Sequence, residues 1–456
     1  MAASNLPFEV KRLIYDHADL ATIKSLRLVS QDWATTGVEL LFLPSFVIKS
    51  SVKDLSRLIN IGSRQKTARQ AARIIRTINF WSNDWDPLYL RSIVCSRHVH
   101  LTNYEVLHFV PTVEEQKALE ELDGLIQQRT IDKNQGESME TLTEAFKQVP
   151  NLQTLHITCP NAFKHPILRK VWDEYNLETY RKPYRDAGPL RFRNILSAAN
   201  EAGLNITKVR HEQFNDNFFI TQWDTVNHWN WSILNKNLRS LSLDVNGIHE
   251  SLNGSRFAFQ TEDDTGHEDI TSTSVPEMMP LLPHTLEYFA FRWESLHPFT
   301  LDIVATSATN LHTLSLIGIK ISPYAFLPFI TSHVPKLRQL QLGNAELGLK
   351  LLSYEIDYDW EMILTILRDT FGNSKQLEKF QLSGVIKSAY GRNTAGVSSL
   401  GGPTWMLWPI YRTTDEEWQD LPWSHKRSRT KEIERFVVEQ GEWPMVAADD
   451  VSDFVT

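Results

Sequence analysis

Apolar positions recur at helical spacing through the first forty or so residues: Leu6, Val10, Ile14, Ile23, Leu26, Val29 and Trp33. Asn5 and Asp19 stand where two helix caps are expected. Pro7 suits a first helical turn, and Glu9 favours that start through the helix dipole. The second helix is predicted to carry Ile23, Leu26 and Trp33 on one face. A unit this short rarely supports a core alone, so part of its apolar surface is expected to meet another protein. The competing reading is a helical hairpin packed on the rest of its own chain.

Beyond this segment the period changes. A short phrase returns as Leu152–Ile157, Leu238–Leu243, Leu286–Phe291, Leu311–Leu316, Leu337–Leu342 and Leu377–Leu382. Each follows Leu-x-x-Leu-x-Leu or a close variant, predicting a strand with alternate residues facing inward. The starts at Leu286, Leu311 and Leu337 are 25 and 26 residues apart, and Leu377 follows after 40. Ile75 to Phe80 and Ile206 to Val209 read as eroded strands of the same kind. Helices are expected between them. Ser322-Pro323 opens Tyr324 to Ser332, and Asp359 opens Trp360 to Thr370 with Gly372 as its left-handed stop. Thr300 is expected to cap Leu301 to Ser307. Thr112 and Glu115 form a capping box before a helix reaching about Arg129.

The N-terminal segment resembles an F-box, the module that docks receptors onto a cullin–RING ubiquitin ligase through a Skp-type adaptor. Leu6-Pro7 and Glu9 fit the opening Leu-Pro-x-Glu, and Ile14 falls on the next apolar anchor. Leu26, Leu28, Val29, Ser30 and Trp33 follow in register. Ala18 departs from a usual larger aliphatic, and Gln31-Asp32 replaces a common basic pair. The strand phrases are similar to the irregular leucine-rich repeats that follow many F-boxes. The resemblance implies an α/β chain: a short all-helical F-box at 1–45, then a degenerate repeat solenoid at 46–394 with a parallel sheet on its concave side. A Trp-rich cap or tail at 395–456 completes it.

Composition narrows the function. With 42% hydrophobic and 22% charged residues the chain is globular, and its net charge of -8 argues against a general nucleic-acid binder. Two cysteines, Cys95 and Cys159, fit a reducing compartment, and no apolar run is long enough to cross a membrane. A cytoplasmic or nuclear location is expected. The segment 251–274 reads as an acidic loop. The basic, aromatic stretch 164–193 reads as a solvated helix packing its rings on a sheet.

Catalytic signatures are not found: no phosphate loop, no His-Glu-x-x-His, no Gly-x-Ser-x-Gly. His98 and His100, and Asp84 and Asp86, read as an exposed strand pair and loop acids rather than metal or acid–base sites. No enzyme activity, cofactor or metal is expected. The residues between the strand leucines instead form a hydrogen-bonding lining suited to a protein target. His156, Tyr288, Arg292, Gln339, Gln341 and Lys379 are the candidate target contacts, within a row that also holds Thr154, Ser240, Ser242, Thr313, Ser315 and Gln381. By resemblance Leu6, Pro7, Val10, Ile14, Leu26, Val29 and Trp33 contact the adaptor. The expected role is the target-recognition subunit of such a ligase. The alternative is a non-catalytic F-box scaffold without a ubiquitination target.

Overall fold

A computed structural model describes residues 6–41, 45–49, 51–64, 72–81, 90–91, 94, 111–132, 138–158, 163–177, 187–215, 237–246, 283–294, 299–301, 308–347, 359–387, 390–392, 398–400, 404–407 and 430–444. It is a mixed α/β chain built on parallel sheet, and it divides into two compact units. The first comprises 1–178 with 182–218, the second 179–181 with 219–456. The acidic segment 251–274, Cys95, Cys159, His98, His100, Asp84 and Asp86 lie outside the described residues.

The first unit begins with three helices, α1 (Phe8–Asp16), α2 (Leu20–Leu26) and α3 (Gln31–Leu41). Pro7 occupies the cap position of α1 rather than its first turn. Asp19 caps α2 as expected, its carboxylate accepting from the Thr22 amide at 2.7 Å. Trp33 does not share α2 with Ile23 and Leu26, because the chain leaves the helix after Leu26 and restarts at Gln31. A small core of Tyr15, Ile23 and Trp33 joins the helices, its two rings edge-on at 5.5 Å. The Tyr15 hydroxyl donates to the Trp33 carbonyl at 2.8 Å, and burial raises its pKa.

The unit continues through β1 (Phe46–Ile48), α4 (Ser51–Arg64), β2 (Thr77–Trp81), α5 (Val113–Ile131), α6 (Met139–Lys147), β3 (Thr154–Thr158), α7 (Pro166–Leu177), α8 (Ala187–Glu201) and β4 (Lys208–Asn215). The Thr112–Glu115 capping box is present at α5. Both eroded phrases are strands, β2 and β4. The four strands pair in parallel in the order β1-β2-β3-β4. One face is buried: Phe46, Ile48, Ile78, Phe80, Leu155, Ile157, Val209 and His211. Phe146 of α6 stacks edge-on to Phe80, and Phe192 of α8 to His211. A separate core of Leu119, Leu122, Phe163, Val171 and Trp172 fixes α5 on α7.

The second unit holds β5 (Ser240–Asn246), β6 (Tyr288–Glu294), β7 (Phe299–Leu301), β8 (Thr313–Ile317), β9 (Ile319–Ile321), α9 (Pro323–His333), β10 (Gln339–Gly343), β11 (Glu346–Leu347), α10 (Trp360–Ser374), β12 (Lys379–Lys387), β13 (Tyr390–Arg392), β14 (Ser398–Leu400), β15 (Thr404–Leu407) and α11 (Thr430–Val438). The phrase strands β5, β6, β8, β10 and β12 pair in parallel and in register, Tyr288 beside Thr313, Thr313 beside Gln339, and Gln339 beside Lys379. Leu314, Leu340, Phe380, Leu316, Leu342 and Leu382 therefore stack beneath the sheet, each fully buried. At the C-terminal end of the phrase, β7, β9 and β11 form a second, narrower parallel ribbon that meets the end of β12.

A column of left-handed backbone redirects the chain from one ribbon to the next. Ile317, Gly343 and Ser383 share a rung, and the residues that follow them are Gly318 (φ 74°), Asn344 (φ 44°) and Gly384 (φ 76°). Asparagine is among the non-glycine residues that enter this region most readily. The column is tied together as the Gly318 amide donates to the Gly343 carbonyl at 2.7 Å, and the Asn344 amide to the Ser383 carbonyl at 3.0 Å. A Cβ on Gly318 would lie 2.0 Å from the Trp293 carbonyl oxygen.

Three expectations need correction. Thr300 does not cap a helix; it lies inside strand β7. Gly372 does not stop α10, which runs to Ser374 with Lys375 taking the left-handed position at φ 51°. Ser322 sits at the α9 cap position with Pro323 after it, yet its side chain makes no capping hydrogen bond. Asp359 does cap α10, through the Met362 amide at 2.7 Å. In the Trp-rich tail, β15 pairs antiparallel with β12, and Ile433, Phe436 and Val437 of α11 are buried, Phe436 edge-on to Trp443.

Gly318→Ala is expected to destabilise the chain by about 2–4 kcal/mol, through positive φ and the clash with Trp293, whereas Asn344→Gly is neutral or stabilising. Chemical denaturation of both variants checks this, and equal losses would contradict the left-handed column.

Candidate interaction surfaces

The first surface belongs to the N-terminal helices. On α1 the buried side chains are Lys11 and Tyr15. At about 100° per residue, Val10, Leu13 and Ile14 fall within one arc of about 100°, with Leu13 opposite the buried side. All three are exposed, as are Phe8, Leu28 at 88% and Val29 at 56%. Apart from Val113 and Ile131, these are the exposed large apolar side chains among the described residues. Scattered single apolar residues are ordinary on a protein surface; a row of them on one helix face is not. Lys11 is buried and pairs with Asp32 of α3, holding the inner side of α1 in place.

The expected adaptor contacts separate into two groups. Val10, Ile14 and Val29 are exposed, Pro7 is exposed, and Leu6 and Leu26 are half-buried against the small core. Trp33 is 3% exposed and is a core residue rather than a surface contact. Leu13 and Phe8 were not among the expected contacts, yet both are more exposed than Val10.

The second surface is the strand face opposite the helices. In the second unit the expected lining is open only in part. Tyr288, Gln339 and Lys379 are half-buried, and Arg292 pairs with Asp244 across the β5–β6 rung at 3.6 Å. Gln341 is wholly buried, with Ser315 at 2%, Gln381 at 9% and Ser383 at 1%. These residues do not form an exposed lining where β8, β10 and β12 meet. The Ser315 hydroxyl donates to Gln341 Oε1 at 2.8 Å, while Gln341 Nε2 has no hydrogen-bond partner among the described residues. Strand alternation placed these residues away from the leucines correctly, but alternation carries no information on what lies over the other face.

In the first unit the corresponding side chains are half-buried rather than sealed. His156 is half-buried and meets Glu212 through Nε2 at 3.2 Å; Arg210 reaches the same carboxylate oxygen at 3.1 Å. Desolvation pushes the Glu212 carboxyl up, but the His156 hydrogen bond and the charge of Arg210 outweigh it and hold the group below its ordinary value. Neighbouring Asn79 donates to Ser45 Oγ at 2.7 Å, and the Lys49 ammonium lies 3.9 Å over the Trp81 ring.

Among the described residues no cluster of three or more His, Cys, Asp or Glu side chains is placed to hold a metal, and no helix is long and apolar enough to cross a membrane. No known protein family and no curated protein matches this chain.

Two outcomes follow. Because the Glu212 carboxyl titrates below its ordinary value, its ion pairs stabilise the fold fully above that value and are lost as pH falls through the depressed one. Glu212→Gln is therefore expected to lower stability at neutral pH and to converge with wild type in acid, read by denaturation across pH. The double variant Ser315→Ala/Gln341→Met removes a buried pair together with an unpartnered donor. It is expected to match or exceed wild-type stability, whereas Ser315→Val alone is destabilising by about 1–3 kcal/mol.

Proposed function

We propose that this chain is the target-recognition subunit of a cullin–RING ubiquitin ligase, with residues 1–45 acting as an F-box and the strand array as a repeat solenoid that holds the target. The observation that carries the reading is the outward apolar row of Val10, Leu13 and Ile14 on α1, with Phe8, Leu28 and Val29 also exposed, on a helical unit whose own core is three residues. Apolar surface of that kind is stabilised by burial against a partner, at about 25 cal/mol per Å². The resemblance of the register from Leu6-Pro7 to Trp33 to an F-box makes a Skp-type adaptor the proposed partner.

The body supports the same reading. In-register parallel strands give a platform, and the polar groups described on their other face are hydrogen-bonding and ionic side chains. A receptor of this kind contributes proximity: it raises the effective concentration of target lysines near a ubiquitin-charged enzyme. The second reading, a scaffold that binds the adaptor without delivering a target, draws on the same apolar row. Target accumulation when the chain is removed from cells separates the two.

Val10→Asp with Ile14→Asp replaces two exposed side chains, so the fold is expected to persist with unchanged circular dichroism while co-purification with the adaptor falls by at least tenfold. Undiminished adaptor binding by this variant would refute the assignment. Trp33→Ala is expected instead to lose about 3–5 kcal/mol of local stability.

A further inference from the structure

Helix α2 ends at Leu26 and α3 begins at Gln31, so four residues, Arg27-Leu28-Val29-Ser30, join them. Leu28 is 88% exposed and Val29 56%, while Arg27 and Ser30 are half-buried. Ser30 heads α3. Its carbonyl accepts from the Ala34 amide at 2.9 Å, and its Oγ accepts from the Trp33 amide at 3.3 Å. The hydroxyl keeps its own proton, for which no acceptor stands among the described residues.

Arg27 lies three residues before that serine. Its Nε reaches the Ala34 carbonyl at 3.4 Å, and most of its five N–H donors are unused among the described residues. A serine with arginine three positions before it is the pattern that arginine-directed Ser/Thr kinases select, because a kinase carboxylate pairs with the guanidinium. The unit around the connection has a buried core of three residues, Tyr15, Ile23 and Trp33, so the connection can open locally to enter a kinase cleft. Its position is the consequential feature. Leu28 and Val29 belong to the exposed apolar surface that the receptor assignment covers with the adaptor.

We propose that Ser30 is a phosphorylation site of an arginine-directed Ser/Thr kinase, and that its phosphate switches adaptor docking off. The switch rests on the receptor assignment; the modification does not. In the transfer, Ser30 Oγ bonds to the γ-phosphorus of ATP as the bond from that phosphorus to the β–γ bridging oxygen breaks. ADP leaves, and the hydroxyl proton passes to a carboxylate of the kinase. The product carries close to two negative charges and three acceptor oxygens. Within the chain these charges are tolerated, since Arg27 has donors to spare and the nearby Asp32 carboxylate is paired with Lys11. Against a partner they are not. Covering Leu28 and Val29 would take a dianion out of water beside them, and that cost exceeds the gain from two apolar side chains.

Treatment of the full chain with the calcium–calmodulin-dependent kinase and ATP, followed by phosphopeptide mass spectrometry, tests the site. Phosphate on Ser30 is expected, incorporated at least tenfold more slowly in Arg27→Gln. Ser30→Asn removes the acceptor hydroxyl and keeps the cap, because asparagine caps a helix as well as serine does. Titration calorimetry then measures adaptor affinity for the unmodified chain, the phosphorylated chain and kinase-treated Ser30→Asn. Kinase treatment is expected to lower affinity at least tenfold in wild type and to leave Ser30→Asn unchanged, with circular dichroism the same throughout. A folded chain that takes no phosphate on Ser30 overturns the proposal, as does equal incorporation in Arg27→Gln. Phosphate on Ser30 with undiminished adaptor affinity overturns the switch, and so does an equal loss of affinity in kinase-treated Ser30→Asn. An unmodified chain that binds no adaptor refutes the receptor assignment and the switch with it, while the mass spectrum still decides the modification.

Discussion

The register between parallel strands is the constraint on which the rest of this chain depends. Once Tyr288, Thr313, Gln339 and Lys379 share a rung, every leucine of the phrase is sent to the same side, and slippage by one residue would reverse all of them. The apolar stack of Leu314, Leu340 and Phe380 enforces the register from below. The Gly318, Asn344 and Gly384 column fixes it along the strand, because only one alignment places three left-handed residues side by side. Backbone pairing alone would permit several registers; packing and conformation together permit one.

That division explains what could be read from the amino-acid sequence. The strands were legible because their signal is local and repeated: period-two leucines, with a phrase recognisable even in the eroded forms that became β2 and β4. Caps with a side-chain acceptor were equally legible, as at Asp19, Thr112 and Asp359. Thr300 carried the same residue type in a different context, and the strand won because pairing with β9 satisfies its backbone in a way that a local cap cannot. The Gly372 expectation failed by a few residues because α10 packs Leu367 and Phe371 against the interior and continues until Lys375 takes the turn. Gly318, Asn344 and Gly384 are scattered singly through the sequence and acquire meaning only when the sheet aligns them.

The candidate surfaces were legible to different degrees for a related reason. Exposure of Val10 and Ile14 goes with the helix face they share with Leu13, which lies opposite Tyr15, and the sequence pattern contains that geometry. Burial of Trp33 follows from a break between α2 and α3 that apolar spacing does not encode. The strand lining was identified by residue and face, but accessibility is a property of what covers a sheet. The result is a polar row in which His156 and Arg210 are half-buried while Gln341 is sealed. The first unit therefore carries an exposed apolar row on α1 and, on its strands, a polar row in which His156 and Arg210 converge on Glu212.

The central claim is that α1 and the α2–α3 turn are covered by a Skp-type adaptor. Hydrogen–deuterium exchange of the full chain, with and without purified adaptor, tests it most directly. The account predicts adaptor-dependent protection concentrated in residues 8–14 and 28–29, with exchange in the β8, β10 and β12 strands unchanged. Unchanged exchange in the N-terminal helices at saturating adaptor, or protection confined to the strand units, would contradict it.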